Sequence, residues 1–138
     1  MKLARIIYAL AGVYGIGVLL PMYFERAHIE RVFPPAITHL EYYYGFVGVG
    51  LAWQVAFLII ASNPVRYRPL MLACVLEKVT YGLAVLVLAF QNRVAGAIMA
   101  FGTVDLIWGG LFIFAFLRVA RQAQIGSAGE RAIAGART

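Results

Sequence analysis

The chain has 138 residues, 63% of them hydrophobic and only 13% charged, with a mean hydropathy of +0.84. A soluble domain holds roughly 45–50% apolar residues, so this composition excludes an ordinary water-soluble fold and describes an integral membrane protein. The net charge of +6 does not call for nucleic acid, because basic residues flanking apolar spans set orientation and meet anionic headgroups. The lipid bilayer is the first partner expected.

Four apolar stretches, 6–24, 42–61, 69–90 and 95–117, each approach the ~20 residues needed to cross a hydrocarbon core of about 30 Å. A transmembrane barrel would alternate apolar and polar residues in segments of about ten, and runs such as "VAFLIIA" and "LAVLVLAF" do not alternate. The expected class is all-α, a single four-helix transmembrane bundle over residues 1–120.

In chain order, the first span follows Lys2 and Arg5 and is succeeded by the bulky, charged "PMYFERAHIE". That stretch offers no small-x-small cleavage site, so the span is expected to stay as an anchor. The loop "ERAHIERVFPPAITHLE" has room for a short interfacial helix broken by Pro34 and Pro35. It also carries His28-Ile29-Glu30 and His39-Leu40-Glu41, residue types able to bind zinc. A bare two-histidine pattern carries high false-positive risk, so an interfacial polar face is favoured, and neither metal nor cofactor is expected.

The second span opens with "EYYY" at the expected aromatic belt. Its Gly48, Ala52 and Ala56 form a small-xxx-small stripe expected to face a neighbouring helix of this chain or another. Pro64 and Pro69 punctuate the turn "SNPVRYRP", which predicts a tight antiparallel hairpin of spans two and three. "QNRVAG" turns the chain again into span four. Residues 121–138 are small and polar and read as a flexible tail. The lone Cys74 excludes a disulfide within the chain and suits core packing.

With both termini cytoplasmic, the inner segments hold Lys2, Arg5, Arg66, Arg68, Arg118, Arg121, Arg131 and Arg137, against Arg26, Arg31 and Arg93 outside. Eight against three satisfies the positive-inside rule. At about 1.5 Å of rise per residue, Lys78 then lies roughly 18 Å and Asp105 about 15 Å below the outer boundary. Tyr14, Trp53 and Gln54 fall in the same layer.

Each charge near the bilayer centre costs approximately 2.5–3.5 kcal/mol on insertion scales, against about 0.3–0.6 returned by each Leu, Ile, Val or Phe. Glu77, Lys78 and Asp105 are therefore expected to face the bundle interior, with Lys78 reaching Asp105. Adjacent helical residues diverge by about 100°, so Glu77 is expected to turn toward Gln54, Trp53 or Tyr14 and, of the two acids, to be the one carrying a proton. Tyr81 sits at i+4 from Glu77 and i+3 from Lys78. The layer reads either as an ionic staple fixing helix register or as a ligand or proton-handling site. Trp53, Trp108, Phe101 and Tyr81 at its border suit a sterol-like or quinone-like molecule.

The motifs "GLAWQ", "NPVRYRPLM", "LEK" and "DL", within residues 41–118, resemble uncharacterised small four-span bacterial membrane proteins and, more distantly, the DoxX-like group. The resemblance implies a four-helix inner-membrane protein and no established reaction. The leading expectation is a non-enzymatic protein that binds a hydrophobic small molecule or serves as an accessory in a membrane complex. The alternative is a small isomerase or redox-associated enzyme using Glu77 for proton transfer. A transporter or channel subunit would need homo-oligomerisation, since four spans make a thin wall. A void beside Glu77 separates these from a staple, which needs Lys78–Asp105 contact and no void.

Overall fold

The computed structural model describes residues 1–33 and 36–135, with side chains to residue 125. It comprises helices α1 (Lys2–Leu19), α2 (Arg26–Val32), α3 (Leu40–Ser62), α4 (Arg68–Phe90) and α5 (Gly96–Gly135), with a 3-10 turn at Leu20–Tyr23 after α1. No strand occurs among the described residues. Four segments, Lys2–Tyr23, Leu40–Ser62, Arg68–Phe90 and Gly96–Ile125, are long and apolar enough to cross a membrane. They coincide with the four stretches expected from sequence, and Arg26–Val32 supplies a short helix in the first loop. Pro34 and Pro35, the expected breakers, lie outside the described residues.

The helix ends follow local chemistry. Pro21 opens the 3-10 turn, where its carbonyl accepts from Phe24 N at 2.9 Å and Glu25 N at 3.0 Å. Between α3 and α4, Asn63 Oδ1 accepts from Arg66 N at 3.2 Å, and Pro69 sits in the first turn of α4, where a missing N–H costs no helical bond. After α4, Asn92 takes a positive φ of 54°, a conformation asparagine tolerates better than most residues. Arg93 N then bonds Leu88 O and Asn92 N bonds Ala89 O, both at 2.9 Å. This is the paired bonding of a Schellman stop. At the other extreme α5 runs on to Gly135, past the expected span end at 117, through residues such as Ala, Arg and Gln that favour helix.

The helices pack as two pairs, α1 along α3 and α4 along α5, with α1 also meeting α5. Glycines set both close approaches. A methyl group at Gly12 would run into Leu58, and one at Gly15 into the Gln54 amide; at Gly82 it would strike Leu106, and at Gly102 Val85. The hairpin of α3 and α4 is not the tightly packed one expected. Their turn joins them in sequence, but the two helices have little contact, because each is drawn against a glycine-notched partner on another side. The Gly48/Ala52/Ala56 stripe is correspondingly open: Ala52 is exposed, and a methyl at Gly48 would approach only the Tyr23 hydroxyl.

The buried core lies at the end of the bundle where α1 begins and α3 turns into α4. Tyr8 stacks on Phe112 at 4.3 Å between centroids, and Phe57 meets Phe112 edge-on at 4.9 Å. Ala4, Ala11, Ile60, Met71, Cys74, Ala115 and Val119 close around them, and Arg68 caps the layer with its guanidinium 4.7 Å from the Phe116 ring. Beyond this closed end the two helix pairs part.

Candidate functional site

The buried face of α4 is the stripe Met71, Cys74, Lys78, Gly82 and Val85, spaced at the three- and four-residue steps of one helix side. Lys78 thus occupies a core position and is only 7% exposed. A charge so placed must be paired. Asp105 supplies the partner from α5, three residues after Gly102 and four before Gly109. A methyl at Gly109 would lie 3.3 Å from Val79 and 3.6 Å from Lys78 Cβ, so the glycine surfaces hold the two backbones close enough for the short aspartate to reach. Lys78 Nζ donates to Asp105 Oδ1 at 3.1 Å and Oδ2 at 3.2 Å. Its stem runs over the core, with Nζ 5.6 Å from the Phe57 ring centroid.

Glu77, one residue earlier, bonds Lys78 Nζ through Oε1 at a longer 3.4 Å. Its Oε2 is buried without a hydrogen-bond partner. The expected turn of Glu77 toward Gln54, Trp53 or Tyr14 is not what the structure shows. Gln54 is instead committed to its own helix, donating from Nε2 to Gly50 O at 3.0 Å while its amide packs against Gly15. The reason is the parting of α3 from α4, which leaves the flexible lysine as the nearest partner for both acids.

Between the parted pairs lies an open cavity of about 1100 Å³. All eight residues singled out from the sequence line it: Tyr14 from α1, Trp53 and Gln54 from α3, Glu77, Lys78 and Tyr81 from α4, and Asp105 and Trp108 from α5. The criterion set from sequence is met only in half: the Lys78–Asp105 contact that a staple needs is made, and the void that a staple should lack lies beside it. Rings stand around the space without closing it. Tyr14 and Trp108 lie 6.1 Å apart, and Phe46 and Tyr81 face each other across the α3–α4 gap at 6.3 Å.

Several lining residues were not singled out from sequence. Phe46 and Gly50 share a face with Trp53 at i, i+4 and i+7, a signal present in the sequence of α3. Met22, at the end of the first span, and Glu25, Ile29, Phe33 and Ile37 line the far end; the last four belong to the loop segment, where counting depth along a span says nothing. Tyr43 ties that segment to α3 by donating to Met22 O at 2.7 Å.

The histidine pairs stay apart from this space. His39 Nδ1 lies 3.2 Å from Glu41 Oε1 and His28 is exposed. Among the described residues no group of three or more His, Cys, Asp or Glu side chains gathers as a metal site. Chemically, the site offers an apolar and aromatic chamber, an ion pair at its floor and one carboxylate oxygen with no bond made. Comparison with family models, curated proteins and solved structures returned no match.

Proposed function

We propose that this chain is a multi-pass protein of the bacterial inner membrane, with both termini cytoplasmic, that binds a hydrophobic or amphipathic small molecule in the cavity between its helix pairs. One observation carries the reading: about 1100 Å³ of space, just above the roughly 300–1000 Å³ typical of ligand pockets, converges on a small polar floor. A staple alone needs no such space. The reading includes the proposed kinship with DoxX-like proteins and leaves room for a membrane-complex partner reading the bound state.

Native mass spectrometry of the protein from nanodiscs tests it. The wild type is expected to retain a small molecule that Ala73→Trp, which places a bulky ring in the cavity wall, excludes. No adduct on either form would sink the reading.

The second reading, an isomerase or redox-associated enzyme, is favoured by the unbonded Glu77 Oε2, a carboxylate oxygen able to take or give a proton. It predicts that Glu77→Gln retains a molecule with a fragmentation pattern different from that of the wild-type adduct, because substrate would accumulate unconverted. Identical patterns would leave binding as the function.

A further inference from the structure

We infer that the cavity selects a cationic amphiphile, a hydrophobic body ending in one protonated amine, which seats its ammonium at Glu77 among the aromatic walls. The inference rests on the binding reading above and narrows its ligand class.

Charge distribution is the first support. The chain as a whole carries +6, yet the cavity lining holds three carboxylates, Glu25, Glu77 and Asp105, against one ammonium, Lys78. Among the residues whose side chains are described, Lys78 is the one basic residue that lines it; Lys2 and the arginines from Arg5 to Arg121 do not. A basic protein thus presents its acidic side inward. Lys78 is already held by both Asp105 oxygens, and the remaining contact to Glu77 is the longest of the three at 3.4 Å. Glu77 Oε2 makes no bond, which is costly for a buried acceptor until a donor arrives.

Ring chemistry is the second support. Tyr14, Phe46, Trp53, Tyr81 and Trp108 come from all four long helices and line one space. Aromatic faces attract a cation and reject an anion, most strongly where water is excluded. An anionic amphiphile would meet an acidic floor and ring faces together, while a neutral alcohol would gain only a hydrogen bond. An ammonium gives the incompletely bonded Glu77 carboxyl a donor, holds it ionised so that the floor trio reaches neutrality, and uses the rings.

The chain provides its own probe, since both of its tryptophans, Trp53 and Trp108, line the cavity. Wild-type protein in nanodiscs would be titrated with three brominated amphiphiles of one skeleton ending in dimethylamine, hydroxyl or carboxylate, with quenching of tryptophan fluorescence as the readout. Saturable quenching by the amine, about tenfold tighter than by the alcohol and absent for the carboxylate, is expected, with the preference lost in Glu77→Gln. Equal saturable quenching by all three would overturn the cation preference and leave the binding reading standing. No saturable quenching by any of them would overturn both. The wild-type series decides the matter even if Glu77→Gln does not fold.

Discussion

At one end of the bundle Tyr8, Phe57 and Phe112 close on one another with no space between them, each 0% exposed; at the other, Tyr14, Trp53 and Trp108 stand around a cavity. Both ends are aromatic, and both draw residues from α1, α3 and α5. The difference lies in the backbones. Where α3 turns into α4 the four long helices are tied together, and further along the glycine seams pull α3 toward α1 and α4 toward α5, opening the space between the pairs. Aromatic content therefore does not decide whether a layer is core or chamber; helix separation does. Lys78 sits at the border, its stem over Phe57 and its ammonium on the floor of the chamber.

This contrast makes graded predictions. Phe112→Ala, in the closed end, should lose about 3–5 kcal/mol, the range for truncating a fully buried ring, read from reversible unfolding in detergent by circular dichroism. A loss comparable to that of a chamber residue would mean the closed end is not the core. Lys78→Met should cost about 2–3 kcal/mol, at or below the loss seen when one member of a buried ion pair is removed, because the acids left behind border open space into which they can relax. Adding Asp105→Asn should restore part of it, and strict additivity would deny the coupling.

Gly15→Ala should follow at about 1–3 kcal/mol, since the new methyl meets the Gln54 amide. Gly17→Ala, with nothing within 4 Å of the added carbon, should be neutral or stabilising by up to about 1 kcal/mol. Equal effects at the two glycines would contradict the seam between α1 and α3. Phe101→Ala in the chamber wall should likewise cost little, under about 1 kcal/mol, because the residue is already 41% exposed. A loss near that of Phe112 would show the chamber to be closed and packed.

Much of the site was legible in the sequence, and the reason is energetic. An ionised group within a long apolar helix has few tolerable places, so Lys78 and Asp105 could be assigned to one interior layer from depth alone. The partner of Glu77 was not legible, because it depends on how far α3 stands from α4. Nor was the role of Glu25 or Phe33, since loop residues have no helical register to place them against a span. The glycines divided in the same way. Gly48, Ala52 and Ala56 made the cleaner pattern, yet Gly12 and Gly15 are the residues pressed against α3, because a pattern marks where a helix can be approached and not which neighbour comes.

By itself the sequence determined an all-helical chain with four helices long and apolar enough to cross a membrane, turns at "SNPVRYRP" and "QNRVAG", and charges in α4 and α5 that must find each other. Those follow from hydropathy, backbone chemistry and the cost of an unpaired charge, all local or one-dimensional. Only the tertiary structure decided that α1 takes α3 and α4 takes α5. Helices apolar on nearly every side do not encode which side will pack, so the fit of Leu58 over Gly12 and of Leu106 over Gly82 makes that choice, and the cavity is what the choice leaves open.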